Sequence, residues 1–331
     1  MFANKKLNLY FTESKFYYVN FFNSKIRVLF RKLDKLDFFY SKILNQIYKI
    51  LKFGSFFQLM GTTSKINEEY IEKVTKLHQF GFVSIDKNNN KETEEILEYG
   101  KKLFSNKEIQ SKLFHDDQKK KFLRSCKIDL RNKENFQLID FLFSNNLLNI
   151  LSGYFNKRLI LKEVTLLYSE NKEFEKGRSQ EFHMDGDDQK QIKLRLNVCD
   201  INYDNGPLTV INKSDTKRIF KKLSDNNIVK KKSTKVDDKS LFSTFSDIKT
   251  QTLIGKEGSI DMVDTSNCYH YGSRPGNKPR LILEYQFLTP FSYNLPFFCK
   301  NQSPKYLENF NLPDAKKEAI SNLMRYYSFK D

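Results

Sequence analysis

The sequence predicts a mainly β fold with helical additions (α+β), and three observations point to it. Apolar residues recur at helical spacing in the first half of the chain, whereas most strand-like segments follow residue 158. A length of 331 residues is enough to bury a full core without disulfide bonds or a structural metal. Hydrophobic residues at 39% and aromatic residues at 15% exclude a disordered or low-complexity chain.

Residues 1–66 are predicted to form a basic, amphipathic helical extension. One apolar stripe repeats at alternating steps of four and three residues, from Leu29 to Ile50. Most lysine and arginine side chains of this stretch fall outside the stripe. Two hypotheses follow: the helix docks on the protein's own core or on a partner, or residues 29–53 lie on an anionic membrane surface as a peripheral contact.

Further helices are predicted before the β-rich part. Asn67 is a candidate N-cap for a helix from Glu68 to about Gln79, which leads into a short strand at 80–85. Residues 92–112 also read as helical, and so do residues 135–151, with an end near Gly153.

The β-rich part spans residues 159–287 and has turn signals between its strands, most clearly at Asp204–Pro207. Polar and apolar residues alternate in 192–198, as expected for a strand with one buried face. The predicted strands are 159–168, 192–198, 208–211, 258–263 and 280–287. Residues 291–331 are predicted to be a helical tail that packs on the core, with a helix from about Asp314 to Tyr327.

Residues 212–257 form a Lys-rich insertion with little apolar periodicity. A mobile lid and a solvated loop are both compatible with this composition. As a lid, its positive charge would suit an anionic substrate.

The formal net charge of +17 is unevenly placed. Residues 1–66 hold 12 Lys or Arg against 3 acidic residues, and residues 212–257 hold 12 against 6, so these two segments supply 15 of the 17 charges. Only 11 of the 57 basic residues are Arg, the residue that nucleic-acid readers use for bidentate contacts. A nucleic-acid partner is therefore disfavoured.

Four cysteines without a CxxC pair predict a reducing, cytoplasmic environment and exclude a zinc ribbon or zinc finger. The N-terminus lacks the apolar core and small-residue cleavage site of a secretory signal. No apolar run approaches the length of a transmembrane helix.

The histidines carry the clearest chemical signal, because the chain has only four of them. His183 and Asp185 form an H-x-D pattern, and on a strand such residues point to the same face. His270, 85 residues after Asp185, is the candidate for a second imidazole. Two histidines and one carboxylate can hold one face of an octahedral iron and leave three positions open.

Two other histidines fit this pattern less well. His115 begins a second H-x-D, but it adjoins a charge run and has no β pattern around it, so it is interpreted as a surface residue. His78 lies in the predicted helix before Phe80 and is interpreted as structural.

Arg280 lies ten residues after His270 on a predicted strand. A guanidinium fixed on a strand can hold the distal carboxylate of a dicarboxylic acid in a bidentate pair. The α-keto acid end of such a molecule would then chelate the metal.

In kind and order, these motifs resemble those of the phytanoyl-CoA dioxygenase family of iron(II)/2-oxoglutarate-dependent oxygenases. The resemblance covers about residues 67–290. The matching segments are Phe182–Asp185, Asn205–Ile211, Gly258–Asp264, His270–Ser273 and Asn277–Arg280, with a first helix–strand unit at Lys76–Val83.

The resemblance implies a double-stranded β-helix (a cupin-like jelly roll) over residues 67–290. It also implies that His183, Asp185 and His270 bind iron and are catalytic, and that Arg280 binds the C5 carboxylate of 2-oxoglutarate. Fe(II), 2-oxoglutarate and O2 would be the cofactor and co-substrates.

The chain departs from the family pattern at two places. Met184 stands where family members often carry Gln, and Asn212–Asp215 replaces a Pro-Gly-Ser-His stretch. Asp185 is retained, whereas halogenating relatives lack this carboxylate, so the resemblance favours a hydroxylase.

Three further residues are candidates for the 2-oxoglutarate or substrate side of the pocket. Arg274 lies in the same loop region as His270 and is also compatible with a solvated loop position. Tyr168 and Asn197 lie on strands that flank the H-x-D, and Asn197 shares a strand face with Arg195. Burying these polar groups is unfavourable unless they meet a ligand or each other.

The leading hypothesis is a 2-oxoglutarate-dependent hydroxylase of a small or lipid-like metabolite, with an anionic substrate among the possibilities. A non-catalytic jelly-roll ligand-binding protein is the alternative from another class. A nucleic-acid-modifying oxygenase is the third hypothesis, and it predicts binding that falls steeply with salt.

Overall fold

A computed structural model describes residues 68–115, 122–144, 146–155, 159–174, 179–188, 190–225, 235–289, 292 and 304–324. The predicted extension 1–66, with its helix at 29–53, lies outside these residues. Among the described helices, none combines the length and apolar character that crossing a bilayer requires.

Helices dominate the first part of the described chain and strands the second, as the sequence predicts. The helices are α1 (Glu68–Phe80), α2 (Lys91–Ser105), α3 (Lys107–Leu113), α4 (Phe136–Ser144), α5 (Leu147–Phe155), α6 (Lys213–Asp225), α7 (Asp238–Thr244) and α8 (Asp314–Leu323). The strands are β1 (Phe82–Ile85), β2 (Arg124–Lys127), β3 (Ile160–Ser169), β4 (Gln191–Asn197), β5 (Leu208–Ile211), β6 (Thr250–Leu253), β7 (Ile260–Asp264), β8 (His270–Tyr271) and β9 (Arg280–Leu288).

The strands form two antiparallel sheets. The larger sheet has the order β1-β7-β4-β9-β3-β2, and the smaller has the order β6-β5-β8. A β-bridge between His183 and His270 adds the segment around His183 beside β8. From β3 to β9, the chain passes back and forth between the two sheets. This connectivity is that of a double-stranded β-helix, so the predicted fold class is confirmed.

One face of the larger sheet is apolar and packs beneath the helices. Alternate residues of β4 and β9 share this face and pair directly across the two strands: Ile192 with Phe287, Leu194 with Tyr285 and Leu196 with Leu283. All six side chains are buried in one cluster with residues of α1, α2, α4, α5 and α8. Burying each such side chain contributes roughly 1.5–3 kcal/mol to folding.

The opposite face of the same sheet is polar. On β4 it carries Gln191, Lys193, Arg195 and Asn197, which are the residues between the three apolar ones. This face is turned toward the smaller sheet, so the space between the sheets is lined largely by polar groups. The alternation that predicted strand β4 therefore also decides which side of the sheet can hold a polar site.

Two predicted helices are each divided in the structure. The segment 92–112 is broken at Asn106, whose side chain accepts hydrogen bonds from the backbone N–H groups of Glu108 and Ile109 and so starts α3. The segment 135–151 is interrupted between α4 and α5, next to Asn146, which has a left-handed backbone (φ 55°). Asn106 therefore satisfies backbone N–H groups at the first break. Asn146 accommodates the left-handed backbone at the second.

Gly153 lies inside α5 and does not end the helix as predicted. A Cβ at this position would overlap the Tyr70 hydroxyl and approach Val74 Cγ2 to 2.9 Å. The glycine thus allows α1 and α5 to pack closely, a reason that the one-dimensional pattern could not reveal.

The Lys-rich segment 212–257 contains more structure than its composition indicated. It includes α6, α7 and β6, and β6 belongs to the smaller sheet. Its apolar side chains join a buried cluster with Phe182 and Tyr269: Ile219, Leu223, Val236, Leu241, Phe245 and Ile248. These few apolar positions are spaced for burial, but the surrounding lysines hid that spacing in the sequence.

The close approach at Gly153 gives a stability prediction. Gly153→Ala should lower the free energy of unfolding by about 1–3 kcal/mol, because the overlap with Tyr70 and Val74 outweighs the gain of up to about 1 kcal/mol in helix propensity. Urea unfolding would measure the change.

Tyr70→Phe removes the atom that lies nearest to the new Cβ and serves as the matched variant. The double variant should be more stable than the two single changes predict by addition. A more stable Gly153→Ala protein would contradict the close packing of α1 on α5.

Candidate metal centre

His183 and His270 are brought together by backbone pairing. The N–H of each residue donates to the carbonyl of the other, at 3.0 Å from His183 and 2.9 Å from His270. The two imidazole rings lie with their centroids 4.3 Å apart. Residues that are 87 positions apart in the chain are therefore fixed side by side at the open side of β8.

The second nitrogen of each ring is held by a carbonyl oxygen. His183 Nδ1 lies 2.9 Å from the Glu181 oxygen and His270 Nδ1 lies 3.0 Å from the Cys268 oxygen. Since a carbonyl only accepts, these contacts assign the proton to Nδ1 and leave the Nε2 lone pairs free. Such second-sphere bonds are what orient metal-binding imidazoles.

Both imidazoles are neutral at physiological pH. Burial and the neighbouring His270 ring lower the pKa of His183 to about 3, and burial also lowers the pKa of His270. A metal ion would therefore not have to displace a proton from either Nε2.

Asp185 supplies the carboxylate. Its backbone N–H donates to the Thr265 oxygen at 2.8 Å, which fixes the residue beside the histidines. Oδ1 lies 3.8 Å from His183 Nε2, and Oδ2 lies 3.9 Å from His270 Nε2. In the described part of the chain, this is the one cluster of three such side chains whose ligand atoms lie within 4.8 Å of one another.

Lys193 is a site residue that the sequence analysis did not single out. Its Nζ lies 2.9 Å from Asp185 Oδ2, and Gln191 Nε2 donates to the same oxygen at 3.1 Å. Burial opposes charge on both partners, yet their attraction outweighs it: the pKa of Lys193 is raised and that of Asp185 is lowered. The alternation on β4 already put Lys193 on the polar face and was the available signal.

The three residues open onto a cavity of about 550 Å³ between the two sheets. Although the chain has 31 Phe and 17 Tyr, neither residue type is among the described side chains that line this cavity. Leu123, Leu167 and Leu208 are its aliphatic lining residues, and most of the rest are polar or charged. The wall therefore suits a ligand with several polar groups.

Arg280 lines the same cavity and is 3% exposed. Its guanidinium donates to the Gly206 oxygen at 2.5 Å and to Ser273 Oγ at 2.6 Å. Burial and the nearby Arg195 lower the pKa of Arg280 well below its usual value. Both of these hydrogen-bond acceptors are neutral groups.

The other predicted pocket residues lie outside the lining. Arg274 forms a bidentate pair with Asp238 of α7, at 2.7 Å for each contact, and its guanidinium stacks on Tyr271. Tyr168 packs against the rings of Phe104 and Phe114. The Asn197 amide donates to Ser259 Oγ at 2.9 Å.

The two remaining histidines are separate from the triad. His115 is exposed, as predicted, but it contributes to the lining of the cavity. The His78 ring lies 4.9 Å from the ring of Tyr154, between α1 and α5.

No model of a known protein family matches this chain, and no curated protein matches it. The apo form of EctD from S. alaskensis shares 16% identity and a TM-score of 0.47 over 72% of this chain and 85% of that one. The epimerase SnoN, crystallised with Fe3+, alpha ketoglutarate and nogalamycin RO, shares 12% identity and a TM-score of 0.44 over 66% and 83%. HygX from Streptomyces hygroscopicus, with nickel and 2-oxoglutarate bound, shares 11% identity and a TM-score of 0.44 over 65% of this chain and 85% of that one. Similarity at this level carries no substrate or reaction over to this chain.

The geometry predicts which histidines bind a divalent metal. His183→Ala should reduce the affinity for Mn(II) at least about 100-fold, because one of three protein ligands is lost. Titration monitored by electron paramagnetic resonance would measure it.

His115→Ala is the matched control, since His115 begins the other H-x-D of the chain. It should bind Mn(II) as the unchanged protein does. Loss of binding in His115→Ala with retention in His183→Ala would refute the assigned triad.

Proposed function

We propose that this chain is an iron(II)- and 2-oxoglutarate-dependent dioxygenase. The observation that carries the proposal is the convergence of His183, Asp185 and His270 at the wall of a cavity that also holds the buried Arg280. Two neutral imidazole nitrogens and one carboxylate oxygen match the donor set of non-haem iron(II) oxygenases.

The protein side of the centre fits a metal in three respects. The Nε2 atoms are free because Nδ1 of each ring is held by a carbonyl. Asp185 is ionised because Lys193 lies beside it. All three side chains come from the inner wall of the cavity, so co-substrate and substrate can reach the same point.

Arg280 would hold the distal carboxylate of 2-oxoglutarate. It is buried, its hydrogen-bond partners are neutral, and Gly206 and Ser273 orient its two Nη atoms. An arginine held in this way provides a directional, bidentate site for a carboxylate. Arg274 is paired with Asp238 and acts in this proposal by fixing α7 beside the loop after β8.

When bound, iron(II), 2-oxoglutarate and O2 supply the oxidising chemistry: one oxygen atom of O2 enters succinate as CO2 leaves, and the other enters a C–H bond of the substrate. The chain's own residues position the target carbon and restrict water. The retained Asp185 favours hydroxylation. The lack of Phe and Tyr among the described lining residues supports a small, polar metabolite more than a lipid-like one.

We also infer membership of the phytanoyl-CoA dioxygenase family and a cytoplasmic location. The order of the H-x-D, the second histidine and the arginine supports the family. The described cysteines Cys126, Cys199 and Cys268 are free thiols, which supports a reducing compartment.

Anaerobic addition of iron(II) and then 2-oxoglutarate should produce a visible metal-to-ligand charge-transfer band. Asp185→Ala should weaken the band or remove it, because the carboxylate that completes the ligand set is lost. Absorption spectroscopy measures the band, and succinate formation in air measures turnover.

A protein that gives neither the band nor succinate would support the non-catalytic binding module instead. Binding of RNA or DNA that falls steeply with salt would indicate the nucleic-acid-modifying oxygenase.

Arg280→Gln should weaken binding of 2-oxoglutarate roughly 10- to 100-fold, because a charge-assisted pair is replaced by a neutral amide. Arg218→Gln removes an arginine from the exposed part of α6 and is the control for charge. Equal affinity in both variants would remove Arg280 from the proposed site.

A further inference from the structure

Arg195 is a second buried arginine of the cavity, and the proposed centre does not yet use it. It lies on the polar face of β4, is 4% exposed and lines the cavity. In the sheet it pairs with Asp261 of β7 on one side and with Glu284 of β9 on the other.

The charge of Arg195 is only partly compensated. Its Nε lies 3.6 Å from Glu284 Oε2, which is beyond hydrogen-bond distance, and the Glu284 carboxylate also lies 3.6 Å from Lys193 Nζ. Within the described residues, Arg195 Nε is buried without a hydrogen-bond partner. Burying a charged group with so little compensation is unfavourable unless an anion lies nearby.

Asp261 does not serve as that acceptor. Its Oδ1 accepts a hydrogen bond from the Ser84 hydroxyl at 2.6 Å, and no ion pair joins it to Arg195 in the described structure. Burial raises the pKa of Asp261, whereas the Ser84 hydrogen bond and the nearby Arg195 and Arg280 lower it. No carboxylate among the described residues therefore accepts a hydrogen bond from Arg195 Nε.

The register of the sheet places Arg195 between the metal centre and Arg280. Lys193, which contacts Asp185, lies on the same face of β4 two residues earlier, or about 7 Å along the strand. On β9, Glu284 lies opposite Arg195. Arg280 lies four residues before Glu284 on the same strand, on the side of Arg195 that is away from Lys193. Along the sheet, Arg195 therefore lies between Lys193 and Arg280.

We propose that Arg195 is a second anion-binding residue for the dicarboxylate co-substrate, whose carboxylate would pair with the guanidinium group of Arg195. The inference rests on the proposed function and extends it, because it makes the co-substrate site a two-arginine site. A dianion would compensate the charges of Arg195 and Arg280 together.

The test is calorimetric titration of 2-oxoglutarate into the full-length, Mn(II)-loaded protein without O2. Arg195→Met should weaken binding roughly 10- to 100-fold, because a charge-assisted hydrogen bond is lost. Arg195→Lys keeps the positive charge, and its affinity for 2-oxoglutarate should lie between those of Arg195→Met and the unchanged protein. Affinity for Mn(II), measured first, should be unchanged in both variants, and Arg218→Met controls for the loss of one positive charge.

Three results would overturn the inference. Equal affinity for 2-oxoglutarate in Arg195→Met and the unchanged protein assigns Arg195 a role in the fold alone. Loss of Mn(II) affinity in both Arg195 variants places its role at the metal centre. If the unchanged protein binds Mn(II) but not 2-oxoglutarate, the proposed function fails as well, whereas the first result leaves that function intact.

Discussion

The reciprocal backbone pairing of His183 with His270 is the contact on which the centre depends. It joins the segment after β3 to the short strand β8, and both N–H groups are used in it. The pairing sets the distance between two imidazoles, and the carbonyls of Glu181 and Cys268 then fix how each ring is turned. Backbone hydrogen bonds thus define two of the three candidate ligand positions.

The larger sheet separates two chemical environments. On one face, Leu194 and Tyr285 belong to an apolar core that the helices cover. On the other face, Lys193, Arg195 and Glu284 line the cavity, and ion pairs join Glu284 to both basic side chains. Because a strand alternates strictly, a one-residue shift in the register of β4 would exchange these environments and destroy both. Folding of the core and formation of the site are therefore one requirement.

The residues that line the cavity also change how the net charge of +17 is interpreted. The excess of lysine along the chain first draws attention to polyanions, yet the basic segment 212–257 contributes two helices, a strand and a buried apolar cluster. The positive charges nearest the proposed chemistry are instead Lys193, Arg195 and Arg280, which are few and mostly buried. Lys193 is held by Asp185, whereas Arg195 Nε has no hydrogen-bond partner among the described residues. This difference underlies the proposed site for a small anion.

The sequence by itself determined that helices precede most of the strands, the alternation of β4 and the identity of His183, Asp185, His270 and Arg280 as candidates. These features are local, since periodicity and motif spacing are properties of short segments. Tertiary structure alone decided that Gly153 is a close-packing position and that Lys193 and Arg274 form ion pairs with Asp185 and Asp238, respectively. It also brings a second imidazole to the H-x-D at His183 and not to the one at His115, because a sheet can pair residues that are distant in the sequence.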